Sequence, residues 1–436
     1  MGQLRFGTDG VRGRALSELT AEYVSSLGHA AAEVIGSGDW LIGHDTRESG
    51  PLLEQALMAG LAAGGAVPSQ VGVLPTPALA YLSALHSVPA AMITASHNPW
   101  HDNGVKIFAA GGLKVSEDAE WAIEALMRDD AAVSAPTSPV HSATVAPYFE
   151  HLVEIIGPQG LGGMRIVVDC ANGAMFEAAP LVIRRLGADV VVINAEPNGR
   201  NINDHCGATN PAALSGAVVA NAADLGLAFD GDGDRLIAVD HLGNVVDGDR
   251  MIALAALQLR DDGQLTDDTV VVTVMSNLGF HKAMEAAGIK VITTAVGDRS
   301  VLEALDAGDY AIGGEQSGHI VYRHLATTGD GLLAGLRLAA YVRNRRQSLA
   351  ELAGAVMTSY PQVLVNVKVA HRHPNVDVEL EAEIASALEA LDGEGRILVR
   401  PSGTEPLIRV MVEAANQLLA QATADTLAKV VLARFG

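Results

Sequence analysis

The chain has 436 residues, of which 49% are hydrophobic and 18% charged, and its formal net charge is −22. This length exceeds what a single hydrophobic core supports, so we predict about three or four domains, and the composition excludes a disordered chain. So acidic a surface argues against nucleic acid and anionic membranes as partners, because both attract clustered Lys and Arg.

Cysteine use and hydropathy favour a cytoplasmic location. The two cysteines, Cys170 and Cys206, do not have the Cys-x-x-Cys spacing of a zinc knuckle, and so few cysteines suit a reducing compartment. The first residues lack an apolar signal core. No apolar run reaches the ~18 residues of a membrane span, so we expect no membrane partner.

The first part of the chain alternates strands and helices, which is typical of an α/β layer domain. The glycine-rich loop at 6–13 carries Arg12, whose forked donors suit an anion. A helix is predicted from Thr20 to Gly36, because Thr is a favourable cap and Gly a favourable stop. A strand at 40–43 and an Ala-rich helix that ends at Gly64 follow.

A lone serine follows the next apolar run, at 90–93, within the hexapeptide 94–99, TASHNP. Ser96 is predicted on a loop at the mouth of the sheet, and our hypothesis is that its oxygen carries a phosphoryl group to and from a sugar. The same residues also favour a plain turn. A turn at 101–104 then leads into a strand at 105–108, where Lys106 lies near the start and could return toward the serine.

An acidic loop follows the predicted strand at 225–229. Three carboxylates at alternate positions, Asp230, Asp232 and Asp234, are separated by glycines and can fold around one hard cation. An EF-hand is excluded, because Arg235 and His241 stand where that loop needs Gly and Glu. Monodentate carboxylates would leave room for a phosphoryl oxygen and water, which favours Mg²⁺ over Ca²⁺.

Two later loops suit a phosphorylated sugar. The loop 313–319, GGEQSGH, offers Glu315 and Ser317 to hydroxyl groups and His319 to proton transfer. The loop 400–406 resembles an anion clamp, since hydroxyls, a glycine amide and arginines can surround a phosphate. Its predicted donors are Arg400, Ser402, Gly403, Thr404 and Arg409. A Walker A loop is excluded, because the chain has no Gly-Lys dipeptide.

The predicted fold class is α/β, with three related α/β/α layer domains and a small C-terminal α+β domain. A small-residue, proline-containing stretch at 131–142 is interpreted as the first linker. The predicted domains are 1–145 with the serine loop, 146–249 with the metal loop, 250–361 with the sugar loop and 362–436 with the phosphate clamp.

Five stretches, in order along nearly the whole chain, resemble the motifs of the α-D-phosphohexomutase superfamily and, within it, the bacterial phosphoglucosamine mutases. They are 7–13, 94–99 with 102–106, 230–235, 314–319 and 400–406. The stretches NIN at 201–203, VGDR at 296–299 and Gln316 resemble the glucosamine-type forms.

The resemblance implies four domains around a central cleft, the last a flexible lid. It implies an isomerase that interconverts glucosamine 6-phosphate and glucosamine 1-phosphate, toward UDP-N-acetylglucosamine and the peptidoglycan wall. Phospho-Ser96 would donate its phosphoryl group, and glucosamine or glucose 1,6-bisphosphate would serve as intermediate or activator. One Mg²⁺ would be held by Asp230, Asp232, Asp234 and the Ser96 phosphate.

The resemblance also implies roles for individual side chains. Arg12, Lys106 and His319 would assist the movement of protons and charge at the reacting oxygen. Substrate contacts would come from His97, Arg235, Glu315, Ser317, Arg400, Ser402, Gly403, Thr404 and Arg409.

Three alternatives stay open at this level. A sibling mutase for mannose or glucose phosphates would use the same chemistry. A metal-dependent phosphatase would use an aspartate of the acidic loop as nucleophile, and a sugar-phosphate binding protein would catalyse nothing. The sequence does not set the oligomeric state, and a homodimer is a working expectation.

Overall fold

The structure is a computed structural model that describes residues 4–127, 141–371, 373–402 and 406–436. These residues form two compact units. The first is formed by the described residues of Met1–Met275 and Ile289–Val356, and the second by those of Ser276–Gly288 and Met357–Gly436. Residues 131–140 of the predicted linker at 131–142 lie outside the described residues.

The first sheet carries the serine loop. Its strands are β1 (Phe6–Gly7), β2 (Gly10–Arg14), β3 (Asp39–His44), β4 (Val67–Val73), β5 (Ala90–Ile93), β6 (Asp102–Ala109), β7 (Leu113–Lys114) and β8 (His141–Ser142). Its helices are α1 (Ala21–Ile35), α2 (Gly50–Ala63), α3 (Thr76–His86) and α4 (Glu117–Leu126). The strand order is β1-β2-β6-β5-β3-β4-β8, with β7 beside β6. Helix α1 begins after the Thr20 cap and ends before Gly36, as predicted.

The predicted turn at 101–104 is wrong from residue 102 onward. Strand β6 begins at Asp102 because its first residues pair antiparallel with the glycine-containing β2, with Arg12 opposite Gly104. Lys106 therefore lies in the middle of β6 and not near its start. Long-range pairing has outweighed the local turn preference of the Asp-Asn-Gly stretch.

The second and third sheets share one plan. The second segment has α5 (Ala146–Ile156), β9 (Arg165–Asp169), α6 (Met175–Arg185), β10 (Asp189–Ile193), α7 (Ala212–Ala220), β11 (Leu225–Phe229), β12 (Leu236–Asp240) and β13 (Val245–Val246). The third segment has α8 (Gly248–Asp261), a 3₁₀ turn (Thr266–Asp268), β14 (Thr269–Thr273), α9 (Leu278–Ala286), β15 (Lys290–Thr294), α10 (Asp298–Gly308), β16 (Ile312–Gly314), β17 (Ile320–Tyr322), α11 (Gly331–Arg345) and α12 (Leu349–Val356).

In each of these two sheets, parallel strands are followed by antiparallel pairing: β11–β12 and β12–β13 in the second sheet, and β16–β17 in the third. The orders are β10-β9-β11-β12-β13 and β15-β14-β16-β17. The antiparallel pair β11–β12 encloses the acidic loop, and the antiparallel pair β16–β17 encloses the predicted sugar loop. Both loops thus follow the carboxyl end of a parallel strand, where open α/β sheets commonly bind ligands.

The second unit is a small α+β domain to which one earlier helix is attached. Its later elements are β18 (Gln362–Lys368), α13 (Val376–Glu379), α14 (Glu381–Glu389), β19 (Gly395–Pro401), β20 (Leu407–Ala414) and α15 (Gln417–Phe435). The three strands form an antiparallel sheet in the order β18-β20-β19. Glu413 is fully buried there, and its carboxylate accepts hydrogen bonds from Leu278 N (2.9 Å), Asn277 Nδ2 (3.2 Å) and Arg396 Nε (3.0 Å). This carboxylate fixes the start of α9 to the sheet.

Among the helices that the structure describes, none combines the length and apolar character that crossing a bilayer requires.

Candidate active site

Ser96 lies directly beyond β5 in a constrained backbone position. The residue is fully buried and its φ is 52°, in the left-handed region that non-glycine residues rarely adopt. Its hydroxyl donates a hydrogen bond of 2.6 Å to Asp230 Oδ2. His97 Nδ1 lies 3.3 Å from Ser96 Oγ. The structure thus brings the predicted nucleophile into contact with the predicted metal loop.

The acidic loop places its three carboxylates together. Asp230, Asp232 and Asp234 are all buried, and one oxygen from each lies within 4.8 Å of the others, so they could hold a metal ion. Gly231 and Gly233 permit the tight path of this loop: Gly233 has φ of 74°, and a Cβ on Gly231 would lie 2.5 Å from the carbonyl oxygen of Ser96.

The donor set fits a hard divalent cation. Asp232 Oδ1 and Asp234 Oδ1 are buried and have no hydrogen-bond partner within the described residues. Burial and the neighbouring charges of Asp234 and Asp232 raise the pKa of Asp230 well above its usual value. Oxygen-only ligation and like charges in need of neutralisation suit Mg²⁺.

Lys106 supplies a cation to the same cluster. Its Nζ lies 2.9 Å from a carboxylate oxygen of each of Asp9, Asp232 and Asp234. Burial disfavours its charge, but the carboxylates outweigh burial and raise the pKa of Lys106 well above its usual value. Asp9 in turn pairs with Arg12, and both cations overcome the effect of burial to lower the pKa of Asp9. Lys106 is therefore a fixed positive charge beside the loop.

His319 and Arg235 approach the cluster at Asp234. His319 Nδ1 lies 3.8 Å from Asp234 Oδ2, and Arg235 Nε lies 3.9 Å from Asp234 Oδ1. Burial of His319 disfavours its protonated form, but the charge of Asp234 outweighs burial and raises its pKa. Arg235 N also donates to Asp230 Oδ1 at 3.2 Å.

His97 has the opposite electrostatic environment. Its burial and the nearby charges of Arg235 and Arg12 lower its pKa to about 4. The imidazole is therefore neutral near pH 7 and can accept a hydrogen bond from a hydroxyl group.

The predicted sugar loop is held by a neighbouring glycine. Glu315 Oε1 accepts a hydrogen bond of 3.1 Å from Gly297 N, so the VGDR stretch at 296–299 contacts a predicted sugar-binding carboxylate. Ser317 is exposed at the tip of the turn, where Gly318 N donates to Glu315 O at 2.9 Å.

The predicted phosphate clamp belongs to the second unit. Arg400 and Arg409 are directly paired across β19 and β20, and burial together with the charge of Arg409 lowers the pKa of Arg400. Ser402 is buried at the end of β19, and its N–H donates to Leu407 O at 2.8 Å. Gly403 and Thr404, the other two predicted donors, lie outside the described residues.

Sequence reasoning missed several residues around the serine. Thr76 Oγ1 donates to Asp232 Oδ2 at 2.6 Å, and Asp9 pairs with Lys106, although neither residue was a predicted site residue. Arg47, which is buried beneath the serine loop, was also missed. The only available signal was position, since Arg47 closely follows a strand, Thr76 opens a helix and Asp9 lies in the glycine-rich loop.

Family models match nearly the whole chain. They describe phosphoglucomutase/phosphomannomutase alpha/beta/alpha domain I at residues 3–133, domain II at 146–243, domain III at 247–360 and the C-terminal domain at 364–430. The predicted class of three α/β/α domains and a smaller C-terminal domain is confirmed.

A phosphoglucosamine mutase of Rhodococcus opacus (strain B4) is 52% identical over 446 aligned residues, which cover 99% of this chain and 99% of the relative. This chain belongs to the phosphoglucosamine mutase family. Membership places it within the larger group of phosphohexomutases, as its motifs indicate.

Solved structures related to the family have the same fold. A phosphoglucomutase/phosphomannomutase family protein from Burkholderia thailandensis has a TM-score of 0.82 at 24% identity, over 99% of this chain and 98% of that one. The Aspergillus fumigatus N-acetylphosphoglucosamine mutase, solved with GlcNAc-6P and magnesium, has a TM-score of 0.71 at 20% identity, over 100% of this chain and 96% of that one. At these identities the likeness shows a shared fold alone.

Proposed function

We propose that this protein is a phosphoglucosamine mutase, an isomerase that interconverts glucosamine 6-phosphate and glucosamine 1-phosphate through phospho-Ser96. The observation that carries the proposal is the 2.6 Å contact between Ser96 Oγ and Asp230 within the three-aspartate cluster. A full-length relative of that name at 52% identity supports the choice of substrate. The product would supply the synthesis of UDP-N-acetylglucosamine and peptidoglycan.

The reaction consists of two phosphoryl transfers. First, the C1 hydroxyl oxygen of glucosamine 6-phosphate attacks the phosphorus on Ser96; the O1–P bond forms as the Oγ–P bond breaks, and the hydroxyl proton is passed on to Oγ. The resulting 1,6-bisphosphate then turns round. In the second transfer Oγ attacks the phosphorus at O6, the O6–P bond breaks, and the proton returns to O6. Glucosamine or glucose 1,6-bisphosphate can prime the serine by the second step.

The residues around Ser96 would stabilise and guide these transfers. Mg²⁺ held by Asp230, Asp232, Asp234 and the Ser96 phosphate would supply Lewis-acid stabilisation of charge on the phosphoryl oxygens. Lys106 is held as a cation, so it would stabilise charge and not act as a base. His319, beside Asp234 of the cluster, and Arg12, beside Asp9, would help to move protons and charge at the reacting oxygen.

Substrate binding is divided between two sets of side chains. Glu315 and Ser317 would hold sugar hydroxyls, with His97 and Arg235 close to the transferred phosphate. The non-reacting phosphate would be held by Arg400, Ser402, Gly403, Thr404 and Arg409. The directly paired arginines of β19 and β20 support this assignment, because two adjacent guanidinium groups favour an anion between them.

The remaining features belong to the same proposal. We infer domains at 1–145, 146–249, 250–361 and 362–436, a cytoplasmic location, no nucleic-acid or membrane partner, and a homodimer. The acidic net charge of −22 and two buried free cysteines support a reducing, non-nucleic-acid setting.

Intact-mass spectrometry and turnover together test the serine. We expect a phosphoryl increment of ~80 Da that maps to Ser96 and disappears on phosphatase treatment. Ser96→Ala should lose both the increment and all turnover. A phosphatase that uses an aspartate nucleophile would instead retain turnover in Ser96→Ala and lose it in Asp232→Asn.

Substrate choice tests the sugar. With a bisphosphate activator, glucosamine 1-phosphate should be converted in preference to glucose 1-phosphate and mannose 1-phosphate. Preference for mannose or glucose phosphate would instead identify a phosphomannomutase or phosphoglucomutase with the same chemistry. Binding without exchange of phosphate between C1 and C6 would indicate a binding protein.

A further inference from the structure

Arg47 is the most completely bonded buried cation in the described first unit. The side chain follows β3 and its residue is only 1% exposed. Its Nε donates to Asp45 Oδ2 at 2.9 Å, Nη1 donates to Asp102 O at 3.0 Å and to Pro99 O, and Nη2 donates to Ser96 O at 3.0 Å and Asn98 O at 2.8 Å. A guanidinium group has five N–H donors in a rigid fork, and all five are used here.

Four of these five acceptors are backbone carbonyls of residues 94–102, the serine segment: those of Ser96, Asn98, Pro99 and Asp102. The segment therefore turns its carbonyl groups toward Arg47, while the hydroxyl of Ser96 points to Asp230. The left-handed backbone of Ser96 is costly for a residue with a Cβ, and such a conformation persists only where the surroundings fix it. Arg47 supplies that constraint from inside the first sheet.

A second donor reaches the same carbonyls from the second sheet's long polar loop. Asn203 Nδ2 lies 2.9 Å from Ser96 O and 3.1 Å from Asn98 O. The ion pair of Arg200 with Glu48, at 2.7 Å, joins this loop to the connection between β3 and α2. The serine backbone is therefore held from both sides.

A chain of hydrogen bonds completes the support. Ser96 N donates to Thr94 Oγ1 at 2.9 Å, and Thr94 Oγ1 donates to Asp45 Oδ2 at 2.6 Å. Asp45 is also the carboxylate that pairs with Arg47. The amide and the carbonyl of Ser96 are thus both connected to one buried ion pair.

We infer that Arg47 and Asn203 are positioning residues for phosphoryl transfer, which hold the backbone of Ser96 so that its Oγ faces the aspartate cluster. Neither touches the reacting atoms; both act through carbonyl groups of the serine segment. The inference rests on the proposed mutase function, since it assigns these residues to the transfer step and not to sugar binding.

Two substitutions test the inference in the full-length protein. Arg47→Lys keeps the charge but has three donors in place of five, and a lysine cannot reproduce the planar fork. Asn203→Gly removes the second donor, and glycine accepts the φ of 58° found at this position. Asn201→Gly is the matched control, because among the described residues the Asn201 side chain bonds only to Asn198 N and Glu196 O of its own loop.

The measurements are kcat and KM with glucosamine 1-phosphate, and hydrogen–deuterium exchange of the peptide that contains residues 94–99. We expect Arg47→Lys to lower kcat about 10²-fold and Asn203→Gly about 10-fold, with KM unchanged, because misplacement of a reacting group slows transfer without weakening binding. Exchange of the peptide should be faster in both variants, and Asn201→Gly should match the wild type.

Wild-type kcat and peptide protection in both variants would overturn the inference, as would a rise in KM without loss of kcat. If Arg47→Lys does not fold, Asn203→Gly decides the question. A wild-type protein without mutase turnover would refute the proposed function, whereas the exchange measurement would still decide whether Arg47 and Asn203 hold the serine segment.

Discussion

Removal of the buried Lys106 side chain would leave neighbouring carboxylates without their cation. Its ammonium group is within 2.9 Å of carboxylates from Asp9, Asp232 and Asp234. Without it, several negative charges would remain buried beside one another. Loss of one partner from a buried ion pair typically costs more than the intact pair contributes to stability.

Lys106→Met should therefore destabilise the fold by about 3–5 kcal/mol in EDTA, and less with Mg²⁺ present. The variant should also lose about 10²–10³-fold in kcat, because a fixed charge near the transferred group is absent. Thermal unfolding with and without Mg²⁺, together with turnover, measures both effects. Lys290→Met, at an exposed strand end, is the control; equal effects in the two variants would contradict the role assigned to Lys106.

Asp330 provides a pH-dependent effect outside the aspartate cluster. This buried residue caps α11 through a 2.9 Å hydrogen bond from Leu333 N, and Tyr148 OH donates to both of its oxygens at 3.0 Å. Burial raises its pKa to about 6, although the hydrogen bonds from Leu333 and Tyr148 oppose the rise.

The sign of the effect follows from which state binds the proton. Between pH 4 and 6 the folded protein binds more protons at Asp330 than the unfolded chain, so this residue's contribution to stability falls as pH rises. Asp330→Asn cannot titrate. Its stability relative to wild type should therefore increase by up to about 3 kcal/mol from pH 4 to pH 7, at about 1.4 kcal/mol per pKa unit.

Denaturant unfolding of wild type and Asp330→Asn across that pH range measures the difference. Asp262→Asn removes an exposed carboxylate, so its curve of unfolding free energy against pH should run parallel to that of the wild type. Parallel curves for Asp330→Asn as well would mean that Asp330 does not hold its proton in the folded state.

At the scale of elements, the acidic loop and the serine loop are packed too closely for any side chain at Gly231. A Cβ there would lie 2.5 Å from the backbone oxygen of Ser96, and neither backbone can yield without moving Ser96 or the neighbouring aspartates. The contact explains why glycine stands between two carboxylates of the aspartate cluster.

Gly231→Ala should reduce kcat by about 10²-fold, since the shift that relieves the close contact would misalign the serine and the aspartates. Steady-state kinetics and thermal unfolding measure the effect. Gly216→Ala is the matched control, because a Cβ at Gly216 meets nothing and alanine should stabilise α7 by up to ~1 kcal/mol. Undiminished turnover in Gly231→Ala would show that the two loops can separate without cost.

The elements themselves could be predicted well from local patterns. Apolar runs such as 90–93 and 225–229 are strands because both faces of these sheets are covered, and the polar break after each run marks the end of the strand. The Thr20 and Gly36 caps fixed α1 for equally local reasons. The stretch 102–104 was mispredicted because its partner strand β2 is remote in sequence.

The supporting contacts of the site could not be predicted in the same way. Arg47 and Ser96 are 49 residues apart, and Asn203 is 107 residues from Ser96. Arg47 in a loop looks like an ordinary surface residue until the sheet brings the serine segment over it. The domain boundaries and the residue roles remain predictions.

At the scale of the whole molecule, a strongly negative chain concentrates further negative charge inside the first unit. Water solvates the charge of a surface carboxylate, but it does not reach three buried aspartates and the expected phosphate on Ser96. A divalent cation would therefore neutralise these buried charges with a larger gain in stability than it would at a surface carboxylate. Binding of an ion to the folded state alone stabilises that state by mass action.

Mg²⁺ should therefore raise the thermal unfolding temperature, with a gain of about 2.7 kcal/mol at 100 times the dissociation constant. Chelation should reverse the gain and abolish turnover. Asp232→Asn should lose most of the response, whereas Asp204→Asn, at an exposed position, should retain it. NaCl at matched ionic strength controls for general screening of the −22 charge; an equal response to both salts would argue against a specific site.

The attachment of α9 to the C-terminal sheet affects how this protein can be cut into pieces. A recombinant fragment that starts near residue 357 would lack α9, leaving Glu413 without the amide of Leu278 and the side chain of Asn277. A fragment that ends near residue 356 would contain α9 without the C-terminal sheet that it contacts. Physical dissection of the C-terminal domain therefore requires a synthetic α9 peptide added in trans, or a permuted gene that places residues 276–288 beside it.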